Sequence, residues 1–198
     1  MKGYCTDIYF DAAVEVIDES INAEKTIFTS IATNAPHGPF HDVPAALYEK
    51  YRQVDFSPIL IHKLNEKRLE KENDKLARIA AMITNIDVNV GRLVEHLESL
   101  GVLENTIVIY LNDNGPNSMR FVGNMRGMKT HVDDGGIRSP LLFHWPAKVK
   151  SGHRSNLMCV GAHHPRCTPP LPAPPLHAPP PSRAPSPSGQ ASACAAAP

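Results

Sequence analysis

The stretch "TIVIYLNDNGP", Thr106 to Pro116, sets strand-forming residues directly against an amide, an acid and a turn. Ile107, Val108, Ile109, Tyr110 and Leu111 suit a pleated, buried segment. Asn112-Asp113-Asn114-Gly115-Pro116 suits a sharp change of direction. Upstream lies a run in which Leu76, Ile79, Ala80, Ile83, Ile86, Val90, Leu93, Val94, Leu97 and Leu100 recur at steps of three and four, which predicts a helix over about 66–100. Gly101 is its expected stop. Downstream, "SPLLFHWP" (Ser139–Pro146) reads as a second strand, closed by Pro146.

Further toward the N-terminus, "TDIYFDAAVEVIDESIN" predicts a helix with Ile8, Ala12, Val16 and Ile17 on one face and Thr6 as N-cap. "KTIFTSIAT" (Lys25–Thr33) reads as a mostly buried strand, and "NAPHGPF" after it as a turn-rich loop holding His37. "VPAALYEKYR" predicts a short helix beginning near Pro44, and residues 53–65 read as irregular. This order favours a layered α/β domain with a largely parallel sheet.

Composition divides the 198 residues. Twelve of the 19 prolines lie in 161–198, a stretch without Asp, Glu, Ile, Val, Phe, Tyr or Trp. Such a segment buries too little apolar area to offset its ordering entropy. Residues 1–153 are therefore expected to form the domain and 154–198 a disordered Pro/Ala-rich tail with polyproline II character. The expected origin of that tail is a stretch read in a shifted frame or through non-coding GC-rich sequence, and a native disordered tail is the competing account. Overall charge is balanced, with 20 basic and 20 acidic residues, so no net field recommends nucleic acid or a membrane surface. No apolar run approaches the ~20 residues that span a bilayer. Cys5, Cys159, Cys167 and Cys194 have neither zinc-ligand nor disulfide-framework spacing.

In open α/β sheets ligands sit beyond the carboxyl ends of strands. Asp113 and Asn114 offer hard oxygen ligands there, suited to Ca²⁺ or Mg²⁺, although a capped turn uses the same residues. Lys129, in a loop with Arg126, His131, Asp133, Asp134 and Arg138, reads as an oxyanion holder or as an exposed lysine. His37 suits a general acid, an anion ligand or a surface histidine. The other histidines form no ligand spacing.

Taken together, residues 1–153 resemble the later part of a sulfatase catalytic domain, in the arylsulfatase branch of the alkaline phosphatase superfamily. The blocks that carry this follow the family's order: "GYCTDIYFDAAVEVID", similar to a helix opening Gly-Tyr-x-Thr-Asp; "IFTSIATNAPHGPF", similar to a strand ending in Pro-His-x-Pro; "LARIAAMITNIDVNVGRLVEHLESLGVLENTIVIYLNDNGP"; and "RGMKTHVDDGGIRSPLLFHWPAKVKSG". The resemblance implies that Asp113 and Asn114 are ligands of a divalent cation, usually Ca²⁺. It implies that Lys129 binds the sulfate or the leaving-group oxygen, and that His37 contacts the ester or assists release of the sulfated intermediate. It implies a sulfate-ester substrate, small molecule or glycan, and relatives that are mostly secreted, periplasmic or lysosomal. Asp134 stands where the family more often has Glu, and 134–138 read as structural. Met128-Lys129-Thr130 replaces the common Gly-Lys-Gly.

The family's nucleophile is a formylglycine made within Cys-x-Pro-Ser-Arg, and the 198 residues do not contain that motif. "CTPPL" (Cys167–Leu171) only begins like it. The expectation is thus an incomplete, inactive catalytic domain. The alternatives are a phosphodiesterase or phosphonate hydrolase of the same superfamily, or a non-enzymatic binding protein.

Overall fold

The computed structural model describes residues 3–118 and 120–155. The chain divides into two units, Met1–Ser151 and Gly152–Pro198, and the named elements lie in the first. Apart from residues 154 and 155, the tail expected to be disordered lies outside the described residues.

Helix α3, Glu66–Ser99, is the frame on which the rest is laid. Its 34 residues span about 50 Å at 1.5 Å per residue. It starts where the Asn65 side chain accepts a hydrogen bond from the Arg68 amide at 3.0 Å. It stops as the sequence predicts. Gly101 takes φ +70°, its N–H donates to Glu98 O at 2.9 Å, and Val102 N–H donates to Leu97 O at 3.1 Å. That pair of bonds satisfies carbonyls the last turn leaves open, and glycine adopts this left-handed geometry without a Cβ clash.

Helix α1, Cys5–Asn22, packs on the C-terminal half of α3. Phe10 and Ile17 of α1 meet Leu93 and Leu97 of α3, and Ile27, Ile31 and Val108 pack around them. Full burial of side chains of this size stabilises by roughly 1.5–3 kcal/mol each. Thr6 does not cap α1. The chain enters the helix earlier, with Tyr4 extended at the cap position, so Thr6 falls within the first turn and is buried. The buried face is correspondingly Thr6, Phe10, Ala13 and Ile17, while Val16 is half exposed. Helix α2, Ala45–Tyr51, begins after Pro44 and lies along α3 between Asp74 and Thr84, where Tyr51 Oη and Thr84 Oγ1 share a hydrogen bond of 2.8 Å.

Strands β1, Val108–Leu111, and β2, Leu141–His144, form a two-stranded antiparallel sheet pairing Val108 with His144 and Leu111 with Leu141. This corrects the expectation of a largely parallel sheet for the strands described. A parallel pair needs a crossover that returns the chain to its starting edge, usually a helix. Here residues 112–140 turn back beside the end of β1 instead, and a short helix α4, Asp134–Ile137, leads into β2. Val108 and Tyr110 face the helices, while Ile109 and Leu111 are 50% and 61% exposed.

The stretch 25–33 belongs to no strand. Ile27 and Ile31 pack on the core, yet Phe28 is 96% exposed. Among the described residues no strand pairs with this segment, and apolar content alone does not make it a strand.

Candidate functional site

The end of β1 is tied to two later turns by backbone hydrogen bonds. Asn112 N–H donates to Pro140 O at 3.3 Å, Gly115 N–H to Gly136 O at 2.8 Å, and Lys129 N–H to Pro116 O at 2.8 Å. Gly135 N–H closes the group by donating to Arg126 O at 2.7 Å. The approach is close: a Cβ on Gly115 would lie 1.9 Å from Gly135 O, so glycine is required there. The adjacent Asp113 and Asn114 and the later Lys129 thereby belong to one loop cluster. Asp113 is exposed, and Asn114 and Lys129 are half-buried.

His37 sits on a neighbouring wall. Its backbone N–H donates to Asn34 O at 2.9 Å, and its ring Nδ1 lies 2.8 Å from Gly38 O. A carbonyl only accepts, so the proton of that bond is on Nδ1 and Nε2 is the ring's free nitrogen. Ala35 packs with Met82 and Ile86 of α3, and Tyr110 of β1 packs against the same group. The His37 loop and the strand end therefore share one stretch of α3. His37 lines a cavity of about 570 Å³ with Tyr4, Asn34, His41, Asp42 and Met82. Burial pushes the Tyr4 hydroxyl above its ordinary pKa, with a smaller upward contribution from the Asp7 charge. Asp113, Asn114 and Lys129 do not line this cavity, and no hydrogen bond or ion pair joins His37 to them among the described residues.

The donor chemistry of Asp113 and Asn114 fits a hard cation, but their number does not complete its shell, which for Ca²⁺ takes ~6–8 oxygens. No group of three or more His, Cys, Asp or Glu side chains converges on a point among the described residues.

One supporting network escapes the sequence reading. Asp7 Oδ1 accepts from Asn85 Nδ2 at 2.8 Å and from Asn89 Nδ2 at 2.7 Å. Arg92 donates to Asn89 Oδ1 at 2.8 Å and to Asp11 Oδ1 at 2.8 Å. Asn89 is 1% exposed. The network clamps α1 to α3, and so holds Tyr4 and Thr6 in the lining of the cavity that His37 shares. Its trace in the sequence is the pair of asparagines four apart that interrupts the apolar rows of α3.

The Sulfatase family model matches residues 2–162. The uncharacterized sulfatase YdeN of Escherichia coli K12 is 26% identical over 83% of this chain and 27% of its own length. Human N-acetylglucosamine-6-sulfatase is 27% identical over 78% of this chain and 30% of its own. Among solved structures, Ps i-CgsB in complex with k-i-k-neocarrahexaose superposes with TM-score 0.57 at 28% identity, covering 74% of this chain and 29% of that one. The chain thus spans less than a third of the length of these relatives. No described helix is long and apolar enough to cross a membrane. A family match over most of the chain, and an α/β likeness to a solved relative, lead to one conclusion: this chain belongs to the sulfatase family.

Proposed function

We propose that residues 3–155 form one wall of a site that hydrolyses sulfate esters carried on glycans. The observation that supports this is the backbone bond that ties Lys129 to Pro116, at the turn that follows Asp113 and Asn114, in a chain of the sulfatase family. In the proposed site the Lys129 ammonium offsets charge growing on the sulfate oxygens as the ester bond breaks. The His37 imidazole, protonated, hands a proton to the departing alkoxide. Asp113 and Asn114 are the proposed cation ligands, and a Ca²⁺ ion there would add positive charge beside the sulfate. The glycan class is supported by the names of relatives, one an N-acetylglucosamine-6-sulfatase and one bound to a neocarrahexaose.

Covalent sulfate transfer needs a nucleophile. The residues named here include none, and the 198 residues hold no Cys-x-Pro-Ser-Arg motif. The purified 198-residue chain is therefore expected to bind an aryl sulfate without releasing the phenol. The test is equilibrium binding of 4-nitrophenyl sulfate, with phenol release followed in parallel. Lys129→Ala is expected to weaken binding by about tenfold, the loss of one charge-assisted hydrogen bond. Unchanged affinity in Lys129→Ala would defeat the assignment of the wall. Turnover that disappears in Asp113→Ala would defeat the incomplete-site reading.

A further inference from the structure

The cavity that His37 lines has a charge as well as a shape. Val43 and Met82 give it an apolar wall, and Tyr4, Asn34, His41 and Asp42 bring polar groups to it. Among the described residues Asp42 is the only acid in that lining, and no Lys or Arg belongs to it. Asp42 is also free to meet a ligand. His41 Nε2 lies 3.8 Å from Asp42 Oδ2, beyond hydrogen-bond reach, and the two side chains are 71% and 92% exposed. The field of the carboxylate nonetheless reaches the cavity wall. Burial pushes the Tyr4 hydroxyl above its ordinary pKa, and the charges of Asp7 and Asp42 add to that rise. Tyr4 therefore holds its proton near neutral pH and can donate a hydrogen bond.

Position says what would settle there. A proton donor must lie within hydrogen-bond reach of the atom it serves. In the sulfate-ester reading His37 protonates the oxygen that leaves with the sugar, so that sugar lies against His37, and the cavity is the space beside it. Asp113, Asn114 and Lys129, on the sulfate side of that reading, are absent from the lining. A volume of about 570 Å³ falls within the ~300–1,000 Å³ of small-molecule pockets. A pyranose ring matches such walls, with C–H groups for Val43 and Met82 and hydroxyls for Tyr4, Asn34 and Asp42. A hydroxyl donating to a carboxylate makes a charge-assisted bond. A second sulfate or a carboxylate on the same ring would instead meet a like charge.

We infer that this cavity seats the sugar ring that carries the ester, and that Asp42 makes it select a ring with no second anionic group. The inference rests on the sulfate-ester reading above for the position of the ring. The favoured substrate is then a singly sulfated hexose or hexosamine unit of a glycan. A sulfated uronate or a doubly sulfated ring is disfavoured.

Titration of the isotope-labelled 198-residue chain, followed by amide chemical shifts at one low ionic strength, tests it. The probes are N-acetylglucosamine 6-sulfate and N-sulfoglucosamine 6-sulfate, the second carrying an anionic group where the first carries an acetyl. The parent chain should bind the first about three- to fivefold more tightly, the effect of a like-charge contact screened by water. The shifts should appear at the Tyr4, Asn34 and Asp42 amides. Asp42→Asn, at an exposed position, keeps the shape without the charge and should abolish the preference. Lys129→Ala should weaken both probes and leave the preference in place. Equal affinities in the parent chain, a preference that survives in Asp42→Asn, shifts that bypass the cavity, or no binding of either probe would overturn the inference. Weaker binding in Lys129→Ala with no preference in the parent chain overturns it and leaves the ester wall standing. A preference abolished by Asp42→Asn, with Lys129→Ala binding as the parent does, supports the selection by Asp42 and removes the ester wall.

Discussion

Replacing Asn89 by alanine tests the clamp between α1 and α3. Asn89 donates to Asp7 Oδ1 at 2.7 Å and to Asn85 O at 2.9 Å, and accepts from Arg92 at 2.8 Å. Two of these bonds involve charged groups, worth ~1.5–3 kcal/mol each when lost from a buried setting. Both charges keep one partner: Asp7 retains Asn85 at 2.8 Å, and Arg92 retains Asp11 at 2.8 Å. Arg92 is also exposed, so water replaces part of its loss. The expected destabilisation is therefore about 2–3 kcal/mol, at or below the ~3 kcal/mol floor of the two bonds' sum because the retained partners and water offset part of it. At roughly 2–4 °C per kcal/mol for a domain of this size, the melting midpoint should fall by about 4–12 °C. Urea unfolding followed by far-UV circular dichroism reads the change directly, with the m-value unaltered. A double-mutant cycle with Asp7→Ala should return a coupling of at least about 1 kcal/mol. A loss below about 0.5 kcal/mol, or zero coupling to Asp7, would refute the clamp.

Other outcomes follow from the same geometry. Asp74 accepts from the Arg78 guanidinium and the Tyr48 hydroxyl, and these bonds hold its carboxyl below the usual range. A depressed carboxyl contributes stability above its unfolded pKa, roughly 4, and loses it as pH falls through the lower folded value. The urea midpoint of the parent chain should thus fall more steeply than that of Asp74→Asn as pH drops below about 4. Gly115→Ala places a Cβ 1.9 Å from Gly135 O and 2.9 Å from Gly135 C, both backbone atoms that a side-chain rotation cannot relieve. It should cost about 1–3 kcal/mol and abolish slow hydrogen exchange at the Gly115 amide, and a protected amide in that variant would contradict the close approach.

Much of the scaffold is legible in the sequence because it rests on local physics. The bounds of α3 follow from apolar steps of three and four, with Gly101 at its left-handed stop. The two strands follow from short apolar runs ended by Asn112 and by Pro146. The sequence does less well where a second segment decides. Thr6 has the chemistry of a cap, but packing of the α1 N-terminus on α3 draws it inside the helix. Ile83 and Leu100 fit the apolar pattern of α3 yet are 49% and 37% exposed, while Asn85 and Asn89 are buried to meet Asp7.

The candidate site divides in the same way. The sequence alone marks Asp113, Asn114, Lys129 and His37 by residue type, by turn chemistry and by the order of its motifs. It also fixes what those groups can do, since a carboxylate, an amide oxygen, an ammonium and an imidazole have set donor and acceptor capacities. Only the tertiary structure decides that Asp113, Asn114 and Lys129 share one loop cluster, because bonds from Gly115 to Gly136 and from Lys129 to Pro116 close loops whose ends no local rule connects. Only it decides that β1 and β2 pair antiparallel, and that the buried Ser118 Oγ finds no hydrogen-bond partner among the described residues. Pairing and satisfaction are properties of two groups at once, and a single stretch of chain specifies one of them.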